Sequence, residues 1–302
     1  MIASKINNLH FLGILANVNE KICKIQLDND LSFRIYSYEK LEEILLCLCG
    51  DGYQYSTEYD YLYNYFEVVG RQEKYVVITG NVNGREDIGR YITEVVNKYL
   101  LNLIDKIRLY KMGNIKLIWH CIHDEIEDQD LGNVAAVSSY YECKIIYPID
   151  DTICGISDED IEELQTFITE VVLPLPHEYV QLAYDIYHKT YEIIDVNLSF
   201  LVCMIGIELL LNPSNYEVTY RISRNTAILI GNNRKNAIDI FKMMKKLYGL
   251  RSRIVHGNLL KAENKDELHL LRYYLSEAIK QVIKLNKKKG RIAIGIEYTG
   301  IW

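Results

Sequence analysis

The chain has 302 residues, 49% hydrophobic and 25% charged, which exceeds what one hydrophobic core usually spans and excludes a low-complexity or disordered polymer. Its seven cysteines are an odd number scattered through regular elements, so a disulfide framework is excluded and reduced thiols are expected. The net charge of -7 hides an asymmetry: residues 1–215 hold 16 Lys and Arg against 34 Asp and Glu, while residues 216–302 hold 18 against 7. A basic segment of that kind points to a polyanionic partner, and the alternative is attraction to the acidic part of the same chain.

The first 150 residues mix strand and helix periods. Phe11–Val18, Lys21–Gln26, Phe33–Ser37, Tyr75–Thr79 and Ile115–Ile122 read as short strands, divided by turns such as Asp28-Asn29-Asp30 and Gly113-Asn114. Leu41, Ile44, Leu45 and Leu48 recur at helical spacing behind a capping Ser37, and Ile88 to Leu109 continues such a pattern for longer. Between them, Tyr53 to Phe66 is dense in aromatics, which reads as a sheet-packing face in preference to a base-stacking one. His120-Cys121-Ile122-His123 lacks the second pair a zinc site needs, and on a strand His120 points away from the other two. Cys47 and Cys49 diverge on a helix, and Gly80-Asn81-Val82-Asn83-Gly84 is a turn without the context of a phosphate loop.

From Ser157 the pattern becomes helix after helix. Ser157 is placed to cap a helix opening Asp158-Glu159-Asp160, which Pro174 and Pro176 stop. Further helices are predicted at Glu178–Ile193, Val196–Leu211, Glu217–Ile230, Arg234–Val255 and Asp266–Lys287, the last with a seam of Leu268, Leu271, Leu275, Ala278, Val282 and Leu285. The tail Arg291–Tyr298 alternates like a strand. The expected class is therefore α+β: a mixed N-terminal domain over 1–155, an all-α bundle over 156–290 and a strand-like tail over 291–302. The longest apolar run, Phe200 to Leu211, is too short for a bilayer, and Met1-Ile2-Ala3-Ser4-Lys5 lacks a signal-peptide core, so a soluble cytoplasmic protein without membrane contact is expected.

One helix draws attention to chemistry. Ala237, Phe241, Met244, Tyr248, Arg251 and Val255 follow at steps of four and three, which puts Arg251 on an apolar stripe, where an anion or a carboxylate must accompany it. His256 lies five residues on, about 140° around and about 7.5 Å along a regular helix, so one unbroken helix does not aim both side chains at one point. Arginine's reach, an altered backbone at Gly249 or Gly257, or two helices meeting across a two-fold axis would bring them together.

Leu247-Tyr248-Gly249-Leu250-Arg251-Ser252-Arg253-Ile254-Val255-His256-Gly257 resembles the Arg-x4-6-His signature of HEPN domains, in particular the ApeA-like group of bacterial anti-phage and abortive-infection proteins. Ile207-Glu208-Leu209-Leu210-Leu211 and Tyr220-Arg221-Ile222-Ser223-Arg224-Asn225-Thr226-Ala227 match that group's preceding helices in order and spacing. The likeness covers about 176–290 and is strong at 200–258. It implies a helical bundle that dimerises and cuts RNA without metal or other cofactor, with Arg251 and His256 catalytic and Glu208, Arg224 and Ser252 supporting them. Arg221, Arg253, Lys287, Lys288 and Lys289 would gather RNA, and the N-terminal domain would sense a phage-derived or nucleotide trigger. An imidazole can take a proton from a ribose 2'-OH, which then attacks its own phosphate to leave a 2',3'-cyclic product, while the guanidinium holds the phosphate and offsets its growing charge. Many HEPN nucleases carry Asn, Asp or His directly after the arginine; this chain has Ser252. Arg253 and His256 can instead pair at the surface, and Arg251 can simply bridge to Glu208. The rival functions are a non-catalytic HEPN-type dimerisation or nucleotide-binding module in a larger complex, and a helical scaffold that docks a partner protein.

Overall fold

The structure is a computed structural model that describes residues 9–49, 72–82, 88–124, 152–211, 216–257 and 265–289. The aromatic stretch Tyr53 to Phe66, Asn83-Gly84 and the tail Arg291–Tyr298 lie outside them, as do the side chains of Cys47, Cys49, His123, Lys287, Lys288 and Lys289. The fold is α+β, and the chain divides into two compact units, 1–169 and 170–302.

In the first unit β1 (Leu9–Ala16), β2 (Ser32–Ser37), β3 (Lys74–Val82) and β4 (Lys116–Asp124) form an antiparallel sheet of order β2-β3-β1-β4. Because β1 separates β3 from β4, those two run parallel to one another, and the chain crosses between them through helix α2. This helix is continuous through Ile88–Tyr91, a π-helical stretch Ile92–Leu100 and Leu101–Tyr110. Ile92, Val96, Leu100, Leu103, Ile104 and Ile107 of α2 cover one sheet face, against Leu9, Phe11, Phe33, Ile78 and Ile122. The opposite face buries Leu12, Ile14, Tyr75, Val77, Trp119 and Cys121 with Leu41 of α1 (Tyr38–Cys49). The Ser37 hydroxyl accepts from the Lys40 N–H at 3.2 Å, as its predicted capping role requires.

The β1–β4 register passes from Ile14↔Trp119 to Leu15↔Leu117, so Ile118 is the extra residue of a bulge. Ile118 and Trp119 consequently pack toward the same face, and Leu117 toward the other. Cys121 is thereby fixed in the core and His120 is turned to the Phe11 side, with ring centroids 5.9 Å apart.

Two sequence expectations fail in this unit. Lys21–Gln26 is no strand: Glu20–Lys24 is a 3-10 helix, and Ile22 and Ile25, three apart, both enter the core as its three-residue turn dictates. The helix expected after Ser157 begins at Asp160, and this α3 (Asp160–Glu170) belongs to the sheet unit and not to the bundle, which moves the boundary from 155 to 169. Leu164 and Ile168 join the sheet core, Lys106 Nζ donates to the Ile168 carbonyl at 2.9 Å, and Tyr110 donates to Glu163 at 3.1 Å. Asp160 Oδ2 accepts from Lys111 Nζ at 2.7 Å and from the Ser157 N–H and hydroxyl at 2.8 and 2.7 Å. Burial alone would raise this carboxyl's pKa; the Lys111 and Ser157 bonds outweigh it and bring it down to about 2.

The second unit holds α4 (Glu178–Lys189), α5 (Val196–Leu211), α6 (Val218–Ile230), α7 (Arg234–Val255) and α8 (Lys265–Lys289), close to the predicted helices. Leu268, Leu271, Leu275, Ala278 and Val282 of α8 are buried along the expected seam. Gly206 lets α5 approach its neighbours: a Cβ there would lie 2.8 Å from Leu275 Cδ2 and 3.0 Å from Ile186 Cγ2. Arg272, 2% exposed, ties α8 to the end of α4: its Nη2 donates to the Thr190 carbonyl at 2.6 Å and to Ser199 Oγ at 3.2 Å, its Nε donates to Thr190 Oγ1 at 3.1 Å, and its plane covers Tyr191. Among the described residues, no helix is long and apolar enough to cross a membrane.

Candidate functional site

Three helices meet around Glu208. It lies on α5, a helix apolar on every side, whose end is held by α6: the buried Asn225 amide donates to the Leu211 carbonyl at 2.8 Å. The same stretch of α6 buries Ser223 and Thr226, whose hydroxyls return to the Thr219 and Ile222 carbonyls at 2.7 and 2.8 Å. This is why a polar sequence, Ser223-Arg224-Asn225-Thr226, can occupy an inner helix face. A short connection then leads to α7, where Asn233 caps by accepting from the Asn236 N–H at 2.9 Å.

The buried stripe of α7 is not the one the sequence spacing indicates. Ala237, Ile240, Met244, Leu247, Leu250 and Ile254 are buried, whereas Phe241, Tyr248 and Arg251 are half-buried and Val255 is 54% exposed. The core prefers the aliphatic row one residue behind, which moves Arg251 from the centre of the stripe to its border. There its Nε stands 3.7 Å from Glu208 Oε1, an ion pair too long for a hydrogen bond. The Arg251 side chain keeps 34% of its surface exposed, and its guanidinium carbon is 5.7 Å from the Tyr248 ring centroid. Tyr248 completes the group. Burial raises its phenol pKa first; the Glu208 charge, and the hydrogen bond the phenol donates to that carboxylate, raise it further, and Arg251 opposes them.

His256 is the C-cap of α7, one step past the last helical residue; its N–H donates to the Ser252 and Arg253 carbonyls at 3.2 and 3.1 Å, and its side chain is exposed. Gly257 follows at φ +87°, the left-handed conformation that ends a helix and that glycine adopts without strain. Among the described residues no hydrogen bond or ion pair joins Arg251 to His256, or Arg253 to His256. The structure thus brings together Glu208, Arg251 and Tyr248, and places His256 at the helix end without a bond to them among the described residues. Ser252 and Arg253 are exposed, and Arg224 is half-buried on α6. Arg221 Nε is buried and has no hydrogen-bond acceptor among the described residues.

Tyr248 is the member that the sequence reading leaves without a role. Its signal was available, since Tyr248 and Arg251 are three apart on one helix, but only the tertiary placement of α5 shows that both serve one carboxylate. Arg272 carried no readable signal, because a charged residue one step from a Leu seam looks solvent-facing until Thr190 and Ser199 are seen beneath it. Among the described residues no three His, Cys, Asp or Glu side chains converge as a metal site. Comparison of the chain with protein-family models, with curated proteins and with solved structures gave no match.

Proposed function

We propose that this protein is a metal-independent endoribonuclease of the HEPN type, active as a cytoplasmic homodimer in bacterial anti-phage defence or as a toxin. The motif resemblance at Leu247–Gly257 motivates the reading, and one observation carries it: at the end of α7, Arg251 stays one-third exposed while paired with Glu208, and His256, five residues on, is exposed as well. A guanidinium so held can take a second anion on its open side, and an imidazole at a helix end can reach a ribose hydroxyl. Arg251 would hold the scissile phosphate and His256 would move the proton; Glu208 and Tyr248 would orient Arg251 without touching RNA. The N-terminal sheet unit would receive the activating phage-derived or nucleotide trigger.

A second reading is favoured by the Glu208–Arg251 pair itself, since an arginine already given a carboxylate needs no phosphate: a non-catalytic HEPN-type module that binds RNA or a nucleotide in a larger complex. One assay separates them. Purified protein is incubated with labelled single-stranded RNA in EDTA, beside Arg251→Ala, His256→Ala and Arg253→Ala. Cleavage that yields 2',3'-cyclic ends, abolished in the first two variants and only weakened in the third, where excess RNA restores it, supports the nuclease. Retained RNA affinity without turnover, with or without added phage extract, refutes it in favour of the binding module.

A further inference from the structure

Beyond its buried row, α7 presents a second row. Lys242, Lys246, Gly249, Arg253 and His256 follow at steps of four, three, four and three, all exposed, within an arc of about 80° over about 21 Å of helix. Asp239 closes the row at its N-terminal end, and Glu267 of α8 approaches Lys246 at 3.8 Å, with that ammonium's side chain still 62% exposed. Along the flank stand aromatics: Tyr220 of α6, 51% exposed, meets Phe241 edge-on at 5.8 Å, and Lys245 lies 5.7 Å over the same Phe241 ring.

Gly249 is the informative member. A glycine inside an exposed helix is destabilising relative to alanine and is retained where a backbone must be approached. Gly206 meets that condition within the chain, but a Cβ at Gly249 would find nothing within 4 Å. Among the described residues nothing occupies the space beside Gly249, so its backbone is open to approach from outside the helix. Positive groups on both sides of it fit a polyanion, and like-charged rows from two copies of α7 would repel unless a polyanion lay between them. A basic track with an aromatic flank is the arrangement that holds single-stranded nucleic acid, phosphates along the charges and bases on the rings.

We infer that the exposed Lys242–Lys246–Gly249–Arg253 face of α7 is a track for single-stranded RNA, with the Gly249 backbone in contact with the strand and Tyr220 as a base-stacking platform, leading the phosphates to His256. This deepens the nuclease reading, and rests on it only for what happens at His256.

The test is equilibrium binding of a fluorescent 2'-O-methyl RNA homopolymer, which no 2'-OH attack can cut, to the full chain across a salt series, so that binding is read even if cleavage never occurs. Replacing Lys242, Lys246 and Arg253 together by Gln should weaken binding about tenfold or more and flatten the log–log salt slope by about 2, near 0.7 for each lost phosphate contact. Gly249→Gln should raise the thermal midpoint, through better helix propensity, and yet weaken binding. An unchanged salt slope in the triple variant, unchanged affinity in Gly249→Gln, or equal affinity for duplex RNA overturns the track. Loss of dimerisation in Gly249→Gln with RNA affinity intact would overturn it in favour of a self-contact.

Discussion

The Glu208–Arg251 pair can be weighed before it is measured. At 3.7 Å and an effective dielectric constant near 20, the bare attraction is about 4 kcal/mol. The side chains keep 25% and 34% of their surface, so solvent screens most of this, and exposed pairs of such geometry retain about 1 kcal/mol. The perturbation is a double-mutant cycle with Glu208→Ala, Arg251→Ala and both, read by urea unfolding of the helical signal, with an expected coupling of about 1 kcal/mol that shrinks between 0.1 and 1 M salt. The single variants should not be equal. Without Glu208, the arginine swings to water, whereas without Arg251 a carboxylate whose Oε1 is buried with no hydrogen-bond partner among the described residues loses its counter-charge, a loss of about 2 kcal/mol. Coupling below about 0.3 kcal/mol, or Glu208→Ala as the costlier single change, would show that Glu208 does not hold Arg251.

Two further outcomes follow from the same geometry. Asp160, brought down to about 2 in the folded state against about 4 when unfolded, contributes about 2 kcal/mol that is fully present above pH 4 and is lost as pH falls through 2; acid unfolding of the sheet unit should therefore shift to higher pH in Asp160→Asn, and an unshifted midpoint would remove α3 from the account. If the nuclease site takes Arg251 from one copy and His256 from the other, mixing the inactive Arg251→Ala and His256→Ala proteins restores about one quarter of wild-type cleavage, because half the dimers are mixed and one of their two sites is whole; no restoration means that both residues act from one chain.

What could be read from the sequence was decided by how far each signal depends on neighbours in space. The helices of the second unit were legible to within a few residues, Glu178–Ile193 overrunning its observed end at Lys189, because Gly257 and the Leu268-to-Val282 seam state their own roles locally. Lys21–Gln26 was not, since Ile22 and Ile25 fit a strand or a three-residue turn equally until the sheet supplies their shared pocket. Neither was the allegiance of α3: Pro174 and Pro176 mark where a helix stops, and carry no information on which core receives Leu164 and Ile168. At the site, the row Ala237–Phe241–Met244–Tyr248–Arg251 and the row Ala237–Ile240–Met244–Leu247–Leu250 are both admissible by spacing. Only the packing of α5 and α6 selects the second, and that choice moves Arg251 from a core position to a border.

That move changes what the arginine can do. A guanidinium at the centre of a buried stripe would be spent on its carboxylate and closed to any ligand. At the border it is oriented by Glu208, shielded on one side by Tyr248 and open on the other, the condition under which an ion pair positions a charge without neutralising its use. His256 stands differently on the same helix: as the C-cap it keeps its N–H bonded to the Ser252 and Arg253 carbonyls, while its side chain is exposed and the chain leaves the helix directly after it at Gly257, φ +87°. The helix thus holds Arg251 against a carboxylate and presents His256 exposed at its end. On the proposed nuclease reading, a phosphate held at Arg251 would have to meet the imidazole through rotation of the His256 side chain or through a second copy of the helix, since one regular helix aims the two residues about 140° apart.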